Sequence, residues 1–176
     1  MSLEDLLAPG SGSWWLMAAV VGFGRFCDLG STFLATPRLL LEGNPVARRL
    51  GWRLGLPVNV LLVAGAACWP LLAVSLTTTS LLVAARNLQS AWLMRSMGEP
   101  AYRAWMGGRL ALAPRGLARA CFTGEALMFL LVGGALMWFA RWQLIPFGIG
   151  LGIASHGMAV LVFTTLALWR LRDHGR

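Results

Sequence analysis

Residues 13–35 read SWWLMAAVVGFGRFCDLGSTFLA. The stretch is almost wholly apolar, opens on the Trp14-Trp15 pair, and would make a helix about 35 Å long, enough to cross a hydrocarbon core of about 30 Å. Paired tryptophans at one end are the anchor expected at a membrane–water interface. Within it lie Arg25 and Asp28. An ionised side chain at mid-bilayer costs roughly 2.5–3.5 kcal/mol on insertion scales, so such residues face a bundle interior or a wet cavity and mark function.

Working outward, four more spans are expected: residues 57–75, 81–97, 120–140 and 145–169. Pro70 would kink the second span. The Thr77-Thr78-Thr79-Ser80 cluster reads as a tight turn into the third, and Arg141-Trp142-Gln143 turns the chain into the fifth. The expected architecture is therefore an all-α, polytopic bundle of about five transmembrane helices in a single membrane domain, residues 1–176. Composition agrees: 57% of residues are hydrophobic and 12% charged, against about 25% charged in a soluble domain.

Arginine placement orients the bundle. Arg38, Arg48, Arg49 and Arg53 follow the first span; Arg95, Arg103, Arg109, Arg115 and Arg119 separate the third from the fourth; Arg170, Arg172 and Arg176 end the chain. The other side carries Glu4, Asp5 and a lone Arg141. The positive-inside rule then puts the N-terminus outside and the C-terminus in the cytoplasm. The acidic first residues lack the basic region of a signal peptide, so the first apolar stretch is expected to stay in the membrane.

Two segments should lie on the cytoplasmic face. In residues 44–54 apolar and basic positions separate at helical spacing, with Asn44 as N-cap and Pro45 at the first helical position. Residues 100–119 place Tyr102 and Trp105 among arginines and are interrupted by Gly107-Gly108 and Pro114. Both fit interfacial helices on anionic lipid. Basic charge placed beside spans points to lipid partners rather than nucleic acid.

All 15 cations are arginines. With no lysine, a Schiff base to retinal or pyridoxal phosphate is excluded. Cys27, Cys68 and Cys121 fall within or beside spans and read as small buried hydrophobes. His156 is the one histidine within a span, so bis-histidine haem is not expected in a monomer. The Gly148/Gly152 pair and Gly133-Gly134 permit close helix contact, either inside the bundle or at a homo-oligomer seam.

Arg25, Arg86 with Asn87, and His156 fall near the middles of three spans. Asp28 lies one turn further on, and Arg25, Asp28 and Thr32 share a helix face. Glu125 enters from the cytoplasmic end of the fourth span, and Glu42 and Asn44 stand where the chain leaves the first. Each has a plainer role open to it. Arg25 and Asp28 can neutralise each other, His156 and Asn87 can be structural hydrogen-bonders, and Glu42 and Asn44 can organise the turn. Arg86 has no acid near its depth on its own helix and needs Asp28, another carboxylate, backbone carbonyls or an anionic ligand.

Asp28-Leu-Gly-Ser-Thr32 followed by Glu42-Gly-Asn44-Pro45 resembles the D-x-x-x-T…E-x-N-P pattern of an uncharacterised group of small bacterial multi-span membrane proteins. The resemblance covers about 20 residues. It implies that Asp28, Thr32, Glu42, Asn44 and Pro45 act as a unit, and it carries no activity.

Three functions fit. The first is a membrane-embedded, hydrolase-like enzyme acting on a lipid or membrane peptide. Asp28, Glu42 and His156 would be its acid, base or ligands to a divalent metal such as zinc, and Arg25 and Arg86, with Asn87, Thr32 and Asn44, would bind an anionic group. No H-E-x-x-H or G-x-S-x-G motif accompanies them. The second is an accessory or assembly subunit of a larger membrane complex. The third is a small anion- or proton-coupled transporter, which five spans would support only as a dimer because they do not divide into equal halves.

Overall fold

The structure, a computed structural model, describes residues 6–173; the side chains of residues 115, 164 and 167–173 are not described. The described chain is all-helical. Glu4, Asp5, His174 and Arg176 lie outside the described residues, as do the side chains of Arg115, Arg170 and Arg172. The helices are α1 (Gly12–Ala35), α2 (Pro45–Ala66), α3 (Pro70–Met97), α4 (Glu99–Leu112), α5 (Arg115–Phe139) and α6 (Leu144–Asp173).

Local chemistry explains the starts. The Ser11 hydroxyl accepts the Trp14 amide at 3.2 Å and caps α1. Asn44 caps α2 as its residue type suggests, its side-chain oxygen accepting the amides of Val46 at 2.9 Å and Ala47 at 3.4 Å, with Pro45 first in the helix. Proline again stands in the first turn of α3 and of α4, where its missing N–H leaves nothing unsatisfied.

The middle of the chain differs from its reading as sequence. Residues 77–80 are not a turn but lie inside α3, which runs unbroken from Pro70 to Met97. The hydroxyls of Thr77, Thr78 and Thr79 donate to the carbonyls of Ala73, Val74 and Ser75 at 2.7, 2.9 and 3.0 Å. In apolar surroundings, hydroxyls satisfied on the preceding turn leave a helix intact. Pro70 accordingly starts a helix rather than kinking one, and the break falls at residues 67–69. The expected span at 57–75 is therefore cut short, and its first part merges with the interfacial segment into α2. Gly51, at φ 61°, takes a left-handed backbone that bends α2 between an arginine-bearing first part and an apolar second part. α4 runs through Gly107-Gly108 and ends before Pro114, after which residues 115–119 belong to α5.

Four stretches are long and apolar enough to cross a membrane: Gly12–Ala35, Pro70–Met97, Gly116–Phe139 and Leu144–Phe163. α2 falls short of that measure, and its place in the bundle follows from the direction of its neighbours. α1 and α3 are parallel, since Gly24 meets Thr77, Arg25 meets Ser80, and Asn87 meets Ser31 and Thr32. The chain must therefore return between them. α2 makes that return. Trp52 donates its indole N–H to the Pro37 carbonyl at 2.8 Å near the end of α1, and the Leu7 amide donates to the Cys68 carbonyl at 2.8 Å before its start.

α3 is the central helix, packed on α1 at one side and on α6 at the other, with α5 laid against α6. The contacts are made by small residues. A Cβ on Gly152 would stand 2.6 Å from the Ser75 carbonyl oxygen of α3, and one on Gly133 of α5 would stand 2.5 Å from the Gly150 oxygen of α6. Gly148 likewise faces Val74 and Leu71, so both members of the G-x-x-x-G pair pack within the bundle. Val21, Ala66 and Ala73 form the buried cluster where α1, α2 and α3 meet. The large apolar side chains point outward instead: Phe26 is 76% exposed and Trp138 82%. A surface this apolar would drive a soluble protein to associate, whereas lipid solvates it.

Candidate functional site

The polar side chains within the helices form two groups, one on each side of α3. The first joins α1, α2 and α3. Arg25 donates to Asp28 at 2.5 Å, to the Ser80 hydroxyl at 3.1 Å and, through Nε, to the Asn59 side-chain oxygen at 2.8 Å. Asn59 in turn donates to the Gly55 carbonyl at 2.7 Å. One turn on, Asn87 donates to Thr32 at 3.0 Å and to Ser31 at 3.3 Å, and the Ser31 hydroxyl donates to the Asp28 carbonyl. The Arg25–Asp28 pair is thus neutralised and tied to two neighbouring helices. Asn59 and Ser80 complete it and had no signal in the sequence: each is an ordinary polar residue in an apolar run, and only the register of three helices brings them to Arg25.

Glu42 and Asn44 take the turn-organising role. The Glu42 carboxylate accepts the Asn44 amide at 2.8 Å, which sets up the Asn44 cap. Asp28 lies within electrostatic reach of Glu42.

Beside them is an anchor with no counterpart among the expected site residues. Glu99, at the start of α4, is buried and accepts the Thr36 hydroxyl at 2.5 Å and the amides of Arg38 and Leu40 at 2.9 Å each. Burial pushes its carboxyl upward, but these three hydrogen bonds and the Arg38 charge outweigh burial and hold it below the ordinary carboxylate range. The signal was the Gly98-Glu99-Pro100 break between two helical stretches, where an acid suits a helix N-terminus.

The second group joins α3, α5 and α6. Arg86 pairs with Glu125 at 3.5 Å and not with Asp28. Both side chains stay partly open, 43% and 38% exposed, although each sits near the middle of its helix. His156 is buried at 3% exposure, its ring edge-on to Phe129 at 4.8 Å, and it lies within electrostatic reach of Arg86 and Glu125. Its Nδ1 is buried and meets no hydrogen-bond partner among the described residues. An arginine fork can seat a phosphate or carboxylate, and a carboxylate beside an imidazole can take and return a proton.

The single gathering of all these residues expected from the sequence therefore separates into two. Asp28 and Glu42 lie with the first group and His156 with the second. Among the described residues, no three His, Cys, Asp or Glu side chains are grouped to hold a metal ion, and Asp28, Glu42 and His156, the candidates for acid, base or metal ligand, are not brought together. Cys27, Cys68 and Cys121 are free thiols.

Four apolar helices, a core of small residues and an apolar outer surface define a multi-pass integral membrane protein. Comparison with protein-family models, with curated proteins and with solved structures finds no match to this chain.

Proposed function

We propose that this is a protein of the bacterial inner membrane that binds an anionic lipid substrate at Arg86 and acts on it with Glu125 and His156. One observation carries the reading. The Arg25–Asp28 group is closed by its own partners, whereas His156 keeps a buried Nδ1 that meets none among the described residues, close to an ion pair that is long and half open. Buried polar atoms are nearly always satisfied, and an exception calls for a reason such as catalysis. Arg86 would hold the phosphate and Glu125 and His156 would exchange a proton with the reacting group, a hydrolase-like, acid–base mechanism that needs no metal. Asp28, Thr32, Glu42, Asn44 and Pro45 would then form the structural unit that fixes α1 and α2 against α3.

The arginine-bearing end of the bundle would face the cytoplasm. Arg38 lies in the loop before α2 and Arg48, Arg49 and Arg53 lie in its first part, while Arg95 ends α3 and Arg103 and Arg109 lie on α4. Anionic lipid there is the expected partner of α4 and of the first turns of α2.

A second reading rests on the same ion pair. Two charges partly exposed near mid-helix would be covered by a helix of a partner protein, which would make the chain an assembly subunit.

The test is reconstitution in vesicles of phosphatidylethanolamine and phosphatidylglycerol, with lipid species followed by mass spectrometry. Turnover that is lost in Glu125→Gln and His156→Ala, both still folded, supports the enzyme. Absence of turnover overturns it for these lipids. A membrane partner that co-purifies in fixed ratio and is lost in Glu125→Gln supports the assembly reading.

A further inference from the structure

The end of the bundle away from the arginine-rich face carries a second feature, independent of the Arg86 site. The turn between α5 and α6 places two consecutive non-glycine residues in the left-handed region, Arg141 at φ 45° and Trp142 at φ 63°. Such backbone costs of order 1 kcal/mol or more per residue and persists where something holds it. Here the ring of Trp142 stacks on Phe147 of α6, centroids 5.2 Å apart and planes 23° from parallel. The turn thereby frames an open groove of about 550 Å³ lined by Gly134, Met137, Trp138, Arg141, Trp142 and Phe147.

The composition of this groove is specific. Its floor is open at Gly134, where an added Cβ would meet nothing within 4 Å, so no side chain fills it. Its walls are aromatic rings and a methionine, and its rim carries one exposed guanidinium. Among the described residues, Arg141 is the one cation at this end of the bundle, and no carboxylate of the described residues lies beside it. An arginine on the side that the charge rule leaves poor in cations is not a topology signal. We propose that this groove binds one phospholipid with an anionic headgroup, its phosphate on Arg141 and its upper acyl chain between Trp138, Trp142 and Met137. Interfacial tryptophans suit the boundary between head and chain, and the arginine fork suits the phosphate.

The test uses the whole protein in detergent micelles, mixed separately with phosphatidylglycerol and phosphatidylcholine of matched chains, with bound lipid counted by native mass spectrometry. One phosphatidylglycerol should be retained about five-fold more than phosphatidylcholine, the preference expected of one arginine near a headgroup. Arg141→Gln should remove the preference, and Gly134→Phe, which fills the floor, should remove retention of both lipids. Unchanged helicity by circular dichroism shows that each variant is folded, and the same comparison made in an Arg86→Gln background separates lipid held in the groove from lipid held at Arg86. Equal retention of the two lipids by the wild type, or an undiminished preference in Arg141→Gln, overturns the proposal. Inorganic phosphate in large excess should not displace the lipid; displacement by it would reassign the groove to a free anion.

Discussion

The Glu99 carboxylate accepts the Thr36 hydroxyl hydrogen at 2.5 Å across 63 positions of chain, and so ties the α3–α4 junction to the end of α1. The amides of Arg38 and Leu40 close the same carboxylate. Among the described residues no other acid joins these two segments, and the parallel packing of α1 and α3 ends on it.

Glu99→Gln should therefore destabilise the detergent-solubilised protein by about 2 kcal/mol, since hydrogen bonds to a charged acceptor contribute roughly 1.5–3 kcal/mol. The pH dependence has a definite sign. The folded-state pKa of Glu99 is lowered. Its contribution is therefore present above the ordinary carboxylate pKa and is lost as pH falls through the folded value. Thermal melting should show an acid-side loss of stability that is smaller in the Gln variant. A wild type and a variant with superimposable profiles would remove Glu99 from this role.

Asp28→Asn should cost about 3 kcal/mol or more. It leaves Arg25 charged and largely buried, with only the neutral Asn59 and Ser80 as side-chain partners. Replacing both members, Arg25→Met with Asp28→Leu, should cost less than the single change, because no charge is then left without its counterion. Melting temperatures of the two single variants and the double variant supply the comparison. A double variant no better than Asp28→Asn would mean that the pair does more than neutralise itself.

How far the sequence could be read follows from the range of each interaction. The Asn44 cap, Pro45 and the Arg25–Asp28 pair are local, and each follows from spacing along one helix. The four membrane-length helices were legible because apolar runs are read along the chain. The α2–α3 boundary was not, because threonines that satisfy their own preceding turn look the same in sequence as threonines in a turn. The partner of Arg86 was not fixed either. Glu125 stood on a different helix, and only the antiparallel contact of α5 with α6, together with the parallel contact of α6 with α3, selects it over Asp28. The partners of Glu99 were not legible for the same reason: they lie 59 to 63 positions away along the chain, at the end of α1 and in the loop after it.

The adjacent glycines of α5 should behave oppositely. Gly133→Val forces a side chain into the Gly150 oxygen and Ala154 amide of α6, where backbone and not a flexible side chain must yield. A loss of about 3 kcal/mol or more, or failure to fold, is expected. Gly134→Ala meets open space and, in mid-helix, should be neutral or stabilising by up to about 1 kcal/mol. Size-exclusion profiles and melting of the two variants check this directly. Equal tolerance would mean that α5 and α6 are not packed at Gly133.

His156 separates stability from function. A histidine that served as a structural hydrogen-bonder would lose stability on replacement by an apolar residue of similar size. Here Nδ1 is buried and meets no partner among the described residues, and an atom left so costs roughly 1–3 kcal/mol. His156→Leu removes the atom and keeps apolar contact with Phe129. The variant should melt at the same temperature as the wild type or above it, while losing whatever turnover the wild type shows in vesicles. Stability gained where activity is lost is the usual mark of a side chain held in place for chemistry. A His156→Leu protein that melts well below the wild type would instead assign the imidazole to the support of α6 against α5, and the case for catalysis at Arg86 and Glu125 would lose its proton carrier.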